Sequence, residues 1–281
     1  MTFRFLGTGT SVGVPMIGCD CPVCTSADPR DKRRRCGAYV TSKEGAFLID
    51  TPPELRLACL EYGIRKVDAV LLTHAHMDHV AAFDDVRRFN TINGTRVPCA
   101  PDAPGAFGRT SRVIGKPLAC YALPETIEQM HTIFPYIGIE SGKNGLFRPQ
   151  VAFVDNTVPF EVVGLRVEAL RVEHGFPCCG YLISDGSASL GYISDCHAIP
   201  DGVVARLKGV DTMVINCLRE RDHATHLCLA RTLGYLERIA SKRAYLIHMC
   251  HDLTHRQWLE KLPPGVEPAY DGLEIEVSEV S

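Results

Sequence analysis

The stretch His74-Ala75-His76-Met77-Asp78-His79 decides how the rest of this sequence is interpreted. It places three imidazoles and one carboxylate within six residues, directly after the apolar run at residues 67–73, which predicts a buried strand. Imidazole and carboxylate groups bind divalent zinc, iron and manganese. Because the four groups are so closely spaced, the stretch predicts a site for two neighbouring metal ions. A polar loop that is rich in histidine by chance is the alternative.

Further candidate ligands stand at the ends of other predicted strands. These strands cover residues 3–7, part of 37–50, a hairpin or strand pair at 162–170, and residues 188–195, 211–216, 243–248 and 273–277. Asp195 and His248 end two of them, and His174 follows the strand pair. Taken alone, either histidine is better explained as a buried core residue, and Asp195 as a helix cap. Their joint placement at strand ends favours one shared metal site.

The remaining pattern indicates an α/β protein. Helices are predicted at residues 54–62, 80–90 and 227–241, the first of them opened by Pro52-Pro53 and closed by Gly63. Residues 98–150 are harder to assign, and the cluster of Pro98, Pro101, Pro104 and Gly105 favours loops there. Neither an internal repeat nor a low-complexity linker interrupts the sequence, so we expect a single domain over residues 1–281.

A second cluster of ligands is made of thiols. Cys19, Cys21 and Cys24 have the Cys-x-Cys-x-x-Cys spacing that holds a structural zinc when a fourth ligand arrives from elsewhere in the chain. Three unligated, buried cysteines are the alternative. The other cysteines, such as Cys59, Cys120, Cys178 and Cys179, are expected to be packing residues.

Composition narrows the class of protein. The net charge of −3 over 281 residues does not indicate a surface that coats nucleic acid or a polybasic membrane anchor. The basic run at residues 32–35 is expected to be a solvated loop, with a phosphate-binding patch as the alternative. The 13 cysteines are odd in number, and the sequence shows neither an export signal nor a long apolar segment, so we expect a cytoplasmic protein.

The motif at residues 74–79 matches the His-x-His-x-Asp-His signature, and in this the sequence resembles the metallo-β-lactamase superfamily. The resemblance implies a four-layer αβ/βα sandwich. It also implies two sets of ligands that share one aspartate. The first metal ion would take His74, His76, His174 and Asp195, and the second Asp78, His79, Asp195 and His248. Asp50 matches the acidic residue that supports the metal loop in that superfamily.

Within the superfamily, the sequence is similar to the PhnP type of phosphodiesterase, which opens five-membered cyclic phosphates of ribose. The similarity includes the turn at residues 7–9, the three-cysteine loop, Pro263-Pro264-Gly265 and the closing segment 270–275. It implies that His251 is the fourth ligand of the structural zinc, with Cys250 as the competitor. The family's catalytic histidine falls on His226, with His223 as the nearby alternative, and Asp78 is counted with it as catalytic.

The resemblance implies a hydrolase in which water, activated between two divalent cations (manganese, zinc or iron), attacks the phosphorus of a small phosphate ester. His226 would donate a proton to the leaving group or hydrogen-bond the phosphoryl oxygen. We also expect no membrane association and a homodimer. The stretch between His79 and His174 is longer than in PhnP enzymes, and its segment 98–160 leaves the exact substrate open. The alternatives are a β-lactamase, a thioesterase, an RNA-processing nuclease, a PqqB-like cofactor-biosynthesis protein or a non-catalytic metal-binding module.

Overall fold

The strands of the chain form two large sheets in the computed structural model, which describes residues 1–102, 110–137 and 149–278. The first sheet contains, from edge to edge, β16 (Glu274–Glu276), β1 (Thr2–Gly7), β2 (Gly37–Thr41), β3 (Ala46–Ile49), β4 (Ala69–Leu71), β7 (Leu118–Ala122) and β8 (Val151–Asp155). The second contains β15 (Val266–Pro268), β14 (Arg243–Ile247), β13 (Thr212–Asn216), β12 (Ser189–Ile193), β11 (Cys178–Ser184), β10 (Leu165–Val172) and β9 (Phe160–Val162). A separate antiparallel pair joins β5 (Thr95–Pro98) to β6 (Ser111–Ile114).

The helices are short and follow the strands in two groups. Within the first half of the chain they are α1 (Leu55–Glu61), α2 (Met77–Val80), α3 (Arg87–Ile92) and α4 (Pro124–Ile133). Within the second half they are α5 (Asp201–Leu207), α6 (Leu229–Ile239) and α7 (His255–Lys261). Single 3₁₀ turns occupy Pro29–Asp31 and Phe83–Val86. Among the described residues, none of the helices is long and apolar enough to cross a membrane.

Three apolar cores stack these elements into four layers. The central core lies between the sheets and includes Phe47 and Val214. A second core packs the first sheet against α1, α3 and α4, and a third packs the other sheet against α5, α6 and α7, around the fully buried Trp258. The order helix, sheet, sheet, helix confirms the predicted αβ/βα sandwich. That residues 1–281 form a single domain stays a prediction.

Burial on both faces explains why the central strands are apolar without interruption. In β3, Phe47 and Ile49 contribute to the central core, whereas Leu48 contributes to the outer one. Successive side chains of a strand point to opposite faces, so a strand covered on both sides needs apolar residues at every position. These strands therefore read in the sequence as apolar runs rather than as alternating patterns.

The direction of the strands determines where the candidate ligands meet. β3, β4, β7 and β8 are parallel neighbours, as are β12, β13, β14 and β15. β10 also runs in the direction of β12, because both are antiparallel to β11. In open α/β sheets, ligands bind beyond the carboxyl ends of such strands. Asp50, Thr73, His174, Asp195 and His248 all follow those ends.

Several predicted elements are confirmed. The helices at 54–62 and 227–241 appear as α1 and α6, and Gly63 has a positive φ of 65° directly after α1. The hairpin predicted at 162–170 is formed by β9 and β10. Its turn uses Val163 and Gly164, with φ of 45° and 72°, the left-handed pair that a tight hairpin turn requires.

Residues 80–90, predicted to be helical, are mostly helical but do not form one continuous helix. The chain forms α2, then a 3₁₀ turn, and only then α3. The interruption arises because Thr51 competes for the helix's backbone groups. The Thr51 amide donates to the His79 carbonyl at 2.7 Å, and the Ala82 amide donates to the Thr51 carbonyl at 3.0 Å. A tertiary contact thus replaces the helical hydrogen bonds at this point.

Within residues 98–150, which the sequence left harder to assign, the described part contains β6, β7 and α4 as well as loops. β7 lies inside the first sheet, and α4 covers it. Proline is compatible with the start of a helix, and Pro124 occupies the first turn of α4, where its missing amide costs nothing. Pro98 ends β5 and Pro101 lies in a turn, while Pro104 and Gly105 lie outside the described residues.

Candidate metal centre

One cluster of imidazoles joins the two sheets. His74 and His76 follow β4, and His174 follows β10. His76 Nδ1 lies 2.9 Å from His74 Nε2 and 3.3 Å from His174 Nε2. Ligands arranged tetrahedrally at about 2.1 Å from one metal ion are roughly 3.4 Å apart. The three nitrogens are therefore spaced as the ligands of a single ion are.

A second cluster combines imidazoles with carboxylates. His79 Nε2 lies 3.3 Å from Asp78 Oδ2 and 3.1 Å from Asp195 Oδ2. His248 Nε2 lies 2.9 Å from Asp195 Oδ1 and 3.7 Å from Asp78 Oδ2. The side chains of His79, Asp195 and His248 are almost completely buried. These groups are also close enough to share one ion.

Asp195 stands between the two clusters. A carboxylate oxygen of Asp195 and ring nitrogens of His74 and His79 lie within 4.8 Å of one another. A carboxylate oxygen of Asp195 and ring nitrogens of His174 and His226 do so as well. Its two oxygens face different histidines, Oδ2 toward His79 and Oδ1 toward His248. The structure therefore brings together all seven residues that the sequence assigned to two metal ions sharing one aspartate.

Asp50 organises the motif from behind. Its buried carboxylate accepts hydrogen bonds from the Thr73 amide and hydroxyl, both at 2.8 Å, and lies 2.7 Å from His79 Nδ1. A carboxylate on Nδ1 fixes the ring so that Nε2 is the free nitrogen, which is how metal-binding histidines are commonly held. Asp50 itself has a positive φ of 62°, a conformation that L residues rarely adopt.

Two other histidines are held in the same manner. The Thr73 hydroxyl lies 2.9 Å from His74 Nδ1, and the Thr225 carbonyl lies 3.0 Å from His174 Nδ1. In both rings Nε2 is left to face the cluster. Thr225 belongs to the loop between β13 and α6, so this loop contributes to the site through its backbone.

Unpartnered buried atoms test whether the residues fit metal ions. His79 Nε2, Asp195 Oδ2 and His248 Nε2 are buried and have no geometrically sound hydrogen-bond partner among the described residues. Leaving such atoms unpaired costs about 1–3 kcal/mol each, and more for charged groups. Divalent cations placed among them would satisfy all three, so the chemistry of the donor set fits a pair of metal ions.

His226 lies next to Asp195 and His248 at the edge of this centre. Its Nδ1 lies 3.7 Å from Asp195 Oδ1, and its ring stacks on that of His248 with centroids 4.6 Å apart. Burial, with His248 acting in the same direction, lowers the pKa of His226 to about 3. His226 is therefore neutral at pH 7 and suited to donate a hydrogen bond. His223 lies farther out, its ring 5.3 Å from that of His226.

The predicted thiol cluster also assembles. The Sγ atoms of Cys19, Cys21 and Cys24 lie 3.3, 3.4 and 3.4 Å from His251 Nδ1. The four ligand atoms lie within 4.8 Å of one another, as a tetrahedral zinc site requires. Cys250, the competing candidate, is not a member of this group. Cys59, Cys120, Cys178 and Cys179 lie in or against the apolar cores, as predicted.

The basic run at residues 32–35 departs from the expected solvated loop. The Arg33 side chain is completely buried and donates hydrogen bonds to the carbonyls of Cys250 and Leu253. Arg34 pairs with Glu61, and Arg35 with Glu54. The segment after His248 is thereby tied to the loop that precedes β2. Sequence reasoning missed this, because a buried arginine in a basic run has no local signal.

Two further residues at the site carried no signal that we used. Phe176 stacks on His76, with ring centroids 4.6 Å apart and an interplanar angle of 26°. Thr225 supports His174 through its carbonyl oxygen. Any residue supplies a carbonyl, so the second role is invisible in a sequence. The position of Phe176, two residues after His174, is the one available hint.

Comparisons with known proteins agree with this geometry. The model of the β-lactamase superfamily domain matches residues 46–249. A crystal structure of a diphosphatase from the PhnP family is 33% identical, superimposes with a TM-score of 0.81, and covers 99% of each chain. Coenzyme PQQ synthesis protein B of Methylobacterium radiotolerans is 27% identical over 77% of this chain and 72% of its own.

A longer relative is an octanoyltransferase of Porphyromonas gingivalis, 34% identical over 98% of this chain. The aligned part is 51% of that protein, so the present chain spans about half its length. The superfamily fold implies divalent metal ions. The candidate ligands also occur along this sequence in the order expected for the superfamily. Because the superfamily model matches more than half of the sequence, the chain belongs to the metallo-β-lactamase superfamily of hydrolases.

Proposed function

We propose that this protein is a dinuclear-metal phosphodiesterase that cleaves a phosphoric ester or anhydride bond of a small molecule. The observation that carries the proposal is the buried Asp195 carboxylate, which faces His79 through one oxygen and His248 through the other. A shared carboxylate holds two cations close together, the arrangement that suits in-line displacement at phosphorus. Similarity to the PhnP-family diphosphatase supports phosphorus as the centre attacked.

The residues present would hold the ions in two sets. His74, His76 and His174 with Asp195 would bind the first, and Asp78, His79 and His248 with Asp195 the second. Manganese, zinc and iron all suit imidazole and carboxylate ligands. When bound, the ions supply an activated water and neutralise charge on the phosphoryl oxygens. A separate structural zinc would be held by Cys19, Cys21, Cys24 and His251.

The chain's own residues bind and orient the substrate around these ions. The half-buried His226, neutral at pH 7, would hydrogen-bond the phosphoryl oxygen through a ring N–H. This role fits its low pKa better than that of a charged general acid. Asp50, Thr73 and Thr225 hold His79, His74 and His174 in fixed orientations, which keeps their Nε2 atoms aimed at the centre.

Acyl chemistry is the second candidate, favoured by the identity of 34% to the octanoyltransferase. The superfamily fold also supports thioester hydrolysis, and fold alone does not separate the two reactions. The octanoyltransferase name describes a protein about twice as long, so the part similar to this chain need not be the part that transfers the acyl group. A role like that of the PQQ synthesis protein is a further candidate, favoured by similarity over 77% of this chain.

Metal analysis combined with a substrate screen tests the proposal. Purified protein should contain about two exchangeable ions and one tightly held zinc. It should hydrolyse bis-p-nitrophenyl phosphate, a cyclic nucleotide or a diphosphate diester faster than octanoyl thioesters or pre-tRNA. Hydrolysis of the thioesters alone would replace the proposal with the acyl candidate. Occupied metal sites without turnover of any ester would indicate a non-catalytic metal-binding module.

We further propose that the partner of this site is a small phosphate ester rather than a nucleic acid, that the protein is cytoplasmic, and that it forms a homodimer. The net charge of −3 supports the first point, because surfaces that bind nucleic acid are strongly basic. Light scattering of the metal-loaded protein measures the oligomeric state directly. A monomer at micromolar concentration would contradict the dimer.

A further inference from the structure

The loop between β13 and α6 contains a second histidine, His223, which lies farther from the metal centre than His226. The rings of His248, His226 and His223 form a ladder, with successive centroids 4.6 and 5.3 Å apart. The ladder leads from the metal centre to the surface: the side chain of His248 is 1% exposed, that of His226 14%, and His223 lies half-buried at the rim. A substrate bound at the metals and extending outward along this ladder would meet His226 first and His223 next.

His223 is fixed in one tautomer. Its Nδ1 accepts a hydrogen bond from the backbone amide of Thr225 at 3.3 Å, and the Thr225 hydroxyl lies at the same distance. A backbone amide can only donate, so Nδ1 carries a lone pair and the ring proton lies on Nε2. His223 is therefore a neutral N–H donor of fixed orientation. Thr225 joins this donor to the centre, because its carbonyl holds His174.

A positive charge, that of Arg219, acts on His223. The Arg219 guanidinium is held in place by the carbonyls of Arg221 and Asp222, at 3.3 and 3.1 Å. Burial first, and then the positive charge of Arg219, lower the pKa of His223, which agrees with a neutral ring. The carboxylate of Asp222, the residue before His223, accepts a hydrogen bond from the Cys228 thiol at 3.0 Å.

We propose that His223 binds the phosphoryl group next to the one that is cleaved, so that the site prefers a diphosphate over a single phosphodiester. This inference rests on the proposed function. In a diphosphate the second phosphoryl group is attached through the bridging oxygen, one group farther along the ladder from His226. A cyclic or simple phosphodiester places no anionic group there and gains nothing from His223.

The reaction balances without a further reactant. The oxygen of water forms a bond to one phosphorus, and the bond from that phosphorus to the bridging oxygen breaks. The bridging oxygen leaves with the electron pair as part of a phosphate monoester, and the protons of water pass to the products or solvent. The phosphate held by His223 is thus the leaving group, whose growing negative charge a fixed N–H donor stabilises.

Binding measurements on the metal-loaded protein test the inference without turnover. The probes are methylenediphosphonate, whose carbon bridge resists hydrolysis, and methylphosphonate, which offers one phosphoryl group. We expect His223→Ala to weaken binding of methylenediphosphonate about 10-fold or more, the usual effect of losing a hydrogen bond to a charged group, and to change binding of methylphosphonate less than 2-fold. His223→Gln, which keeps an N–H donor, should recover part of the loss.

The matched control is His131→Ala. His131 lies on α4, where its ring contacts Phe153, away from the metal centre, and its variant should bind both probes as the wild type does. Metal content is measured after each titration, because diphosphonates chelate metal ions. An equal loss for both probes, or no loss for either, overturns the inference. Wild type that prefers methylenediphosphonate through His223 but hydrolyses no phosphoric ester would overturn the proposed function alone.

Discussion

Replacing His226 shows whether this residue acts on the substrate or binds a metal ion. We expect His226→Ala to lower kcat by about 100-fold to 1,000-fold, the range typical of losing one hydrogen-bond donor to a developing negative charge, with metal content unchanged. The reason is that His226 lies 3.7 Å from Asp195 but belongs to neither of the proposed ligand sets. Turnover of a phosphodiester and metal analysis of the same preparation check this.

The alternative for His226 is equally measurable. A ring nitrogen of His226, a ring nitrogen of His174 and a carboxylate oxygen of Asp195 lie within 4.8 Å of one another, so His226 has the geometry to bind an ion directly. Loss of a metal equivalent in His226→Ala would make it a ligand and end its role as a hydrogen-bond donor to substrate. His131→Ala again serves as the histidine control.

Asp50 acts on the metals through His79. We expect Asp50→Asn to weaken metal binding by about 10-fold to 100-fold, because the amide removes the negative charge that holds and polarises the His79 ring. Competition with a chelator measures the affinity. Asp201→Asn is the control, since Asp201 is 91% exposed and pairs with Arg238 at the surface. Equal affinities in the two variants would show that Asp50 serves the fold alone.

At the scale of elements, the loop before β2 and the segment after β14 are held together by one buried cation. The Arg33 side chain is fully buried, bonds the carbonyls of Cys250 and Leu253, and lies 3.7 Å from Asp31. His251, the proposed zinc ligand, stands between those two carbonyls in sequence. The arginine and the proposed zinc would thus hold the same two segments together, next to His248, a proposed ligand of the metal pair.

Removing this cation should be costly. We expect Arg33→Met to lower the free energy of unfolding by about 3–5 kcal/mol, because it leaves the buried Asp31 carboxylate without its cation. Arg30→Met is the matched control. Arg30 pairs with Asp28 at the exposed surface, 2.8 Å away, where such pairs contribute less than about 1 kcal/mol. Denaturant unfolding measures both, and similar values would contradict a structural role for Arg33.

At the scale of the whole molecule, the proposed metal centre draws its residues from both halves of the sandwich. His74, His76, Asp78 and His79 follow the first sheet, whereas His174, Asp195 and His248 follow strands of the second. An ion bound by ligands from both sheets resists their separation. Metal affinity and global stability are therefore linked.

Removal of the metals should lower the melting temperature. At 100-fold excess of metal over its Kd, one site adds about 2.7 kcal/mol, which corresponds to a shift of roughly 5 °C or more for a chain of this size. Calorimetry before and after chelation checks this. The same measurement on Cys24→Ser shows how much of the change in melting temperature comes from the proposed structural zinc. An unchanged melting temperature would show that the ions do not bridge the sheets.

The sequence by itself determined the layered class of the fold and the list of candidate ligands. Apolar runs identified the central strands, because strands covered on both faces leave no room for polar residues. The motif at 74–79 is local, so its chemistry could be read without coordinates. The positions of His174, Asp195 and His248 at strand ends were also visible, since strands such as β12 and β14 end in a polar residue directly after an apolar run.

Only the tertiary structure decided which groups support the site and where the chain departs from its local preferences. The break between α2 and α3 depends on hydrogen bonds to Thr51, and the burial of Arg33 depends on carbonyls more than 200 residues away. Thr225 orients His174 through a hydrogen bond to its backbone carbonyl, a group that every residue possesses. Local sequence reports the preference of a segment, whereas these contacts join segments whose proximity exists only after the sheets have packed.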